Sequence, residues 1–456
     1  MSLPPSNLQL PQRRSRRICT DQENERFLTG TEAARATIAR VGLRPRDNMQ
    51  CSLISPGLET GRLLDAELAG SVGVNDTPTV LVLMPLATQR GGAELLLSHL
   101  LRNNRGQGIQ WNIVFLQDGP MVSQIRDLGI DVAVIPSGRL RGVLKTLKTI
   151  FQITRHAKAC NADFIFSWMP KAHIYGGIAS LLIGVPCGWF QHGTPSRRSL
   201  IDRLTALLPA RMVLACSKAS AEAQGRIWPL RSTLPIHPGV EIDQFDAANL
   251  PSPAECRREL GLPAGGPLIG IVGRLQRWKG FHVLVQAMPA IIQSQPDARF
   301  VLVGGQHDYE PDYPEVLRKL IKSLGLADRV VMAGAQLNIP YWMQAMDVVV
   351  HASDREPFGI VIVEAMSLGK PVVATDDGGP IEIVTNNTDG LLTPFGDAFA
   401  LATAVNRYLS DPPFAKAVGE NARRRAQQFS TKAFAAKVNA AIMSCLQAKV
   451  AKRRAG

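Results

Sequence analysis

Arg355-Glu356-Pro357-Phe358-Gly359-Ile360-Val361-Ile362-Val363-Glu364-Ala365-Met366 sets two glutamates at the ends of an otherwise neutral, apolar run, eight positions apart. Pro357 and Gly359 predict a turn at its start, and Ile360–Ser367 has the length and apolar content of a buried helix. Glu356 is therefore expected in a loop and Glu364 about one turn into the helix. A carboxylate among Ile, Val, Ala and Met loses its hydration unless something pairs with it, and a polyhydroxyl ligand is one such partner.

Working outward, this stretch lies between two short β-prone runs, 348–350 and 371–374, in a series that also includes Leu268–Val272, Arg299–Val303 and 330–332. An earlier series runs through Thr79–Met84, 111–116, 132–135, 164–166, 187–190 and Met212–Ala215. Helix-length segments separate the runs in both. Such alternation implies parallel sheets covered by helices on both faces. The expected class is α/β, with two doubly wound, Rossmann-like domains at 78–245 and 246–430, joined through the Pro- and Gly-rich segment 246–267. Facing domains of this kind bind ligands in a cleft at the carboxyl ends of their strands. Residues 1–77 show no sustained period and are read as a disordered N-terminal extension. Residues 411–446 read as Ala-rich helix, and 431–456 as a C-terminal helix with a basic tail.

Composition narrows the function classes. Over 456 residues, 45% hydrophobic and 20% charged content is that of a globular chain. No run approaches the roughly 18 uncharged apolar residues of a membrane span, and the N-terminus lacks the apolar core of a secretory signal. Arg13, Arg14, Arg16 and Arg17 are balanced by Asp21, Glu23, Glu25 and Glu32, against the pattern of an organelle transit peptide. A cytoplasmic location, with peripheral contact to a membrane as an option, is the expectation. Seven cysteines, an odd number without metal-ligand spacing, read as free thiols and mostly as small core residues. The net charge of +13 is concentrated in 78–250 and 431–456. It suits phosphorylated ligands or an acidic membrane face. Nucleic acid fits less well, because the stacked-aromatic spacing of single-strand binders is missing.

Three further motifs follow strands. Gly273-Arg274-Leu275-Gln276-Arg277-Trp278-Lys279-Gly280 succeeds Leu268–Val272 and puts two cations, Arg274 and Lys279, beside a helix N-terminus, an arrangement suited to a pyrophosphate. Gly91-Gly92-Ala93-Glu94 occupies the first strand-to-helix turn of the other domain, where Gly92 permits close backbone approach. His192, in Gln191-His192-Gly193-Thr194, stands at the end of its strand and can reach a cleft. His99, His156, His282 and His351 lack that context and are read as surface or core residues. In Asp377-Gly378-Gly379-Pro380-Ile381-Glu382-Ile383-Val384, Glu382 either favours the dipole of its own helix or contacts ligand; both readings stay open. Neither HExxH, a Cys/His cluster nor GxSxG occurs, so metal and serine-hydrolase chemistry have little support.

Taken together, these motifs resemble the retaining, family-four glycosyltransferases with the GT-B fold (glycosyltransferase group 1). EPFGIVIVE matches the E-x7-E signature, with GRLQRWKG, GGAE, HG at 192–193 and GGPIEIV in the expected order over roughly 78–430. The resemblance implies a nucleotide diphosphate-sugar donor, a sugar, lipid-linked or other hydroxyl acceptor, and polysaccharide or glycolipid synthesis, with neither metal nor cofactor. It implies that Arg274 and Lys279 hold the diphosphate, Glu364 the ribose, and Glu356 with Phe358 and Gly359 the donor sugar. Gly92 would approach the phosphates from the opposite domain, and His192 would contact the sugar near the reacting carbon. The sequence departs from the family at His237-Pro238-Gly239-Val240-Glu241, where NGVD is usual. Two other readings are an epimerase or hydrolase of the same architecture, and a non-catalytic module binding an anionic partner.

Overall fold

Thr79–Met84 (β1) is buried along its whole length, as a strand must be when both faces of its sheet are covered. The computed structural model describes residues 77–454 except 89–90, 105–107, 139, 141 and 228–230. The expected N-terminal extension and its arginine run, residues 1–76, lie outside the described residues. After β1 come Gln110–Phe115 (β2), Asp131–Val134 (β3), Phe164–Ser167 (β4), Cys187–Gln191 (β5), Met212–Ala215 (β6) and Leu234–Pro235 (β7). They form one seven-stranded sheet in the order β3-β2-β1-β4-β5-β6-β7, paired in parallel throughout.

Leu268–Val272 (β8), Arg299–Val303 (β9), Val330–Gly334 (β10), Val348–His351 (β11), Val372–Thr375 (β12) and Leu391–Thr393 (β13) build a second, six-stranded parallel sheet, ordered β10-β9-β8-β11-β12-β13. The expected pair of doubly wound sheets is therefore present. The order reverses between β1 and β4 and again between β8 and β11, and those are the switch points where such sheets open a crevice. The edge strands β7 and β13 were not foreseen. With two and three residues, they are too short to show a period.

The helical segment expected over 411–446 is present as two helices, the second beginning at Thr431. Helix Pro412–Ala426 gives way to a short 3-10 turn, Gln427–Phe429, before helix Thr431–Arg454 begins. The break is where the chain crosses between lobes, beside the first crossing: Val240 N donates to Phe429 O (2.8 Å), and Thr431 N donates to Val240 O (3.1 Å). The last helix then packs on the first lobe, with Phe434 stacked at 6.0 Å on Phe190 of β5 and Asn439 Nδ2 donating to Asn104 Oδ1. Among the described residues no helix is long and apolar enough to cross a membrane.

Phe434 is fully buried, so Phe434→Ala should cost about 3–5 kcal/mol. Urea unfolding would read this as a lower midpoint; an unchanged midpoint would mean that the last helix does not hold the first lobe.

Candidate active site

Two loops leave the carboxyl ends of adjacent strands β8 and β11 and close on each other. Gly280 ends the turn Arg277–Lys279 with φ +70°. A Cβ there would lie 1.8 Å from the carbonyl oxygen of Ala352, so only glycine serves. Asp354 N donates to Trp278 O (2.7 Å), fastening the loops together.

Their contact places Lys279 Nζ 2.5 Å from Glu356 Oε2 and 4.1 Å from the centre of the Trp278 ring. His351 Nε2 lies 3.2 Å from the same carboxylate oxygen, and Ser353 Oγ lies 3.1 Å from His351 Nε2. The pair is largely sealed from solvent, with side-chain exposures of 15% for Lys279 and 10% for Glu356. Burial by itself pushes the Glu356 carboxyl up; the Lys279 charge and the His351 bond outweigh it and hold the group well below the usual carboxylate range. Arg274 projects exposed from the same loop, with Nη1 3.4 Å from His307 Nε2.

A third strand-end loop, after β12, grips the Glu356 segment from behind. Gly379 N donates to Glu356 O (2.8 Å), and a Cβ on Gly379 would sit 2.2 Å from Phe358 Cα. The glycines expected to open a turn therefore give the Glu356–Phe358 backbone room to lie against them. Gly359 then caps Ile360–Ser367, the helix expected from the sequence.

Glu364 lies one turn into that helix, partly exposed on the wall of a cavity of about 90 Å³ between the lobes. Gly92, His99, Arg102, Glu241 and Ile360 also line it. Across the boundary, a Cβ on Gly92 would come within 2.8 Å of Ile360 Cδ1, so the glycine lets the Gly92–Asn103 helix start against the Glu364 helix. Trp168 Nε1 donates to Ala93 O (2.7 Å) and holds this turn; Gln89 and Arg90 before it lie outside the described residues. Burial pushes the Glu364 carboxyl up to about 7.

His192 follows β5, stacked at 4.3 Å on Phe190 and 5.1 Å from Trp168. Burial takes its imidazole down to about 3, against a bond to the Trp168 backbone, so it is neutral at pH 7. Its buried Nε2 has no protein partner among the described residues. Cys216 ties this residue to the other lobe: its Sγ donates to His192 O (3.4 Å) and approaches Pro357 O at 3.7 Å. The thiol is buried and pushed up to about 12, chiefly by desolvation, so it acts as an inert packing group.

Glu382 stands in the first turn of its own helix, as one of the two readings had it. Its carboxylate reaches the opposite lobe, accepting from Lys218 N (2.9 Å) and Ala219 N (3.0 Å) at the start of helix Lys218–Ile227, and from His237 Nε2 (2.9 Å). Burial pushes this carboxyl up, but those three bonds overcome it and lower the pKa. His237 also stacks on Phe358 at 5.4 Å. His237, just before the NGVD-like segment Pro238–Glu241, thus supplies a contact between the lobes. His351, read as a surface or core residue, is buried and also touches Glu356. Glu356 lies five positions after His351, and that spacing on a strand followed by a loop was the available signal. Nothing in the sequence near Cys216 or His237 showed which distant segment they would meet.

With this geometry in view, the comparisons are direct. The family model for glycosyl transferases group 1 matches residues 254–425, and that for Glycosyltransferase Family 4 matches 90–244. The crystal structure of Anabaena Alr3699/HepE in complex with UDP is 31% identical, with a TM-score of 0.72 over 80% of this chain and 100% of that one. Its complex with UDP-glucose is 30% identical, with a TM-score of 0.70 over 80% and 99%. The D-inositol 3-phosphate glycosyltransferase of Corynebacterium urealyticum is 37% identical over 199 residues, 43% of this chain and 47% of that one. The lipopolysaccharide core biosynthesis mannosyltransferase LpsB of Rhizobium meliloti is 32% identical over 173 residues, 38% and 49% of the two chains. The chain spans about half the length of these curated relatives. It belongs to the group 1, family four glycosyltransferases of GT-B fold.

Two outcomes follow from the site. Glu364 has a higher pKa folded than unfolded, so the folded chain gains stability below about pH 4.3 that is lost as pH rises through about 7. Glu364→Gln should raise the melting temperature of the ligand-free protein at pH 8 and change it little at pH 4.5; calorimetry at both pH values checks this. Glu382→Ala should cost about 1–3 kcal/mol at pH 7, the loss shrinking as acid protonates the native carboxylate. Small-angle scattering should show a larger radius of gyration for this variant.

Proposed function

We propose that this chain is a retaining glycosyltransferase that needs neither metal nor cofactor and moves a hexose from a nucleoside diphosphate sugar to a hydroxyl of a saccharide or glycolipid. The observation that carries the reading is the buried Lys279–Glu356 pair with Arg274 on the same loop. Glu356, kept ionised, has its second carboxylate oxygen to accept from sugar hydroxyls, while it holds Lys279 in place. Lys279 and Arg274 meet the negative charge that grows on the departing diphosphate, which is where fixed cations lower a barrier most. Glu364 accepts from the ribose hydroxyls, which supply the partner its carboxylate lacks among the described residues. The Phe358 and Gly359 backbone and Gly92 border the donor, and neutral His192 lies near the reacting carbon of the sugar.

In the reaction, the acceptor oxygen forms the new bond to the anomeric carbon on the face from which the phosphate oxygen leaves. The acceptor proton passes to that leaving oxygen, so no protein nucleophile takes part. A uridine diphosphate hexose is the first donor to test, supported by the UDP and UDP-glucose complexes of the Anabaena relative. The relatives named for inositol phosphate and lipopolysaccharide core support a polar or lipid-linked acceptor. We also propose a cytoplasmic location, peripheral to the membrane.

Arg274→Ala and Lys279→Ala should each lower kcat by about 10²-fold or more. Arg274 is exposed, so its variant separates catalysis from folding, whereas Lys279→Ala also leaves Glu356 buried without its cation. Near-native transfer by both variants would overturn the assignment. Equal donor consumption with and without acceptor would identify a hydrolase instead.

A further inference from the structure

Three helices lie side by side on one face of the first sheet: Val143–Ala159, Pro170–Ile183 and Leu200–Leu207, with the second between the other two. Their inner faces are ordinary core, with Ile150, Ile153 and Tyr175 packed under them. Their outer faces are not ordinary. On the first helix Leu144 is 85% and Phe151 67% exposed, with Val143 and Leu147 also in solvent. Leu181 and Leu182 stand out from the end of the second, and Leu200, Leu204 and Leu207 from the third. Scattered exposed leucines need no explanation, but a run of them over three adjacent helices does.

The charges around this apolar surface have one sign. Between Ile135 and Leu200 the sequence carries one acidic residue, Asp163, against nine lysines and arginines. Lys145, Lys148, Arg155 and Lys158 share the exposed side of the first helix with Leu144, Leu147 and Phe151, at the i, i+3, i+4 spacing that brings side chains onto one face. The first two helices contain no Asp or Glu. Protein interfaces are depleted of lysine relative to the rest of the surface. Interleaved leucines, phenylalanine and lysines instead match a surface seated at the boundary between acyl chains and acidic headgroups, where long basic side chains reach the phosphates and apolar ones enter. The first and third helices also begin at the strand edge where His192 stands, because each follows a parallel strand.

We propose that the outer faces of Val143–Ala159, Pro170–Ile183 and Leu200–Leu207 form the surface by which this protein lies on an anionic lipid bilayer. In that orientation the mouth of the first lobe adjoins the headgroups, and an acceptor need not leave the membrane to react. The use of the surface rests on transfer to a lipid-linked acceptor; its existence rests on these residues alone.

The test is flotation of the full chain with vesicles of phosphatidylcholine, alone or mixed with phosphatidylglycerol, beside Leu144→Glu/Phe151→Glu and Lys145→Gln/Lys148→Gln/Arg155→Gln. All five positions are exposed, and a thermal melt confirms folding. The native protein should float with the mixed vesicles and not with phosphatidylcholine alone. Both variants should lose binding by about tenfold or more. Flotation of the Leu144/Phe151 variant at the native level would overturn the proposal and assign binding to other basic segments. Failure of the native protein to float would also overturn it, as would a native dimer by light scattering that the same variant dissolves. Stabilisation by UDP-glucose, measured without vesicles, separates the two readings: it should be equal in native protein and variants. If it is absent while flotation holds, the transfer reading needs another donor and the lipid surface stands.

Discussion

A buried ion pair, Lys279 with Glu356, organises the candidate site. Removing two charges from water is costly, and the cost is offset only where geometry and further hydrogen bonds are good. Here they are: His351 adds a bond to the same carboxylate, Trp278 lies under the ammonium, and Gly280 lets the two loops meet. The parallel sheet makes the meeting possible. β8 and β11 are neighbours at a switch point, so loops far apart in sequence leave the sheet side by side. In the proposed reaction, the same pair keeps a cation oriented before any diphosphate arrives, which limits the reorganisation left for the transition state.

The lobes are joined by more than their connecting segment. Glu382 of the second lobe caps a helix of the first, His237 links that carboxylate to the Phe358 ring, and Cys216 touches backbone on both sides. The last helix returns to pack Phe434 on Phe190. These contacts set the spacing of the cleft, and with it the cavity that Glu364 shares with Gly92. Movement at the Glu382 cap would therefore reach the Glu356–Phe358 segment, through the His237 ring on Phe358 and through Gly379 on Glu356.

The repeating pattern of apolar runs and helical stretches announced two parallel sheets, because a strand covered on both faces must be apolar along its length. The Glu356–Glu364 stretch likewise showed its loop and helix, since Gly359 and the run after it act locally. The short edge strands β7 and β13 were illegible for want of a period. The break at 427–430 has no Pro or Gly signature in those four residues, because its cause is a crossing between lobes. Among site residues, Arg274, Lys279 and Glu356 were legible from their place after strands. His351 was passed over, and Glu382 was weighed against its own helix and a ligand but not against the opposite lobe.

Sequence by itself determined the class of the chain: its family, its two-sheet plan, and which loops carry cations and carboxylates. Those are encoded in short windows, where backbone preference, burial and turn chemistry act over a few residues. Only the tertiary structure decided which charge meets which. It set Lys279 on Glu356, left Glu364 without a protein partner among the described residues, sent Glu382 to the helix of the opposite lobe, and gathered exposed leucines and lysines from three helices onto one face. Pairings across 77 residues for Lys279–Glu356 and 145 for His237–Glu382 depend on strand order and lobe packing, and no local propensity records them.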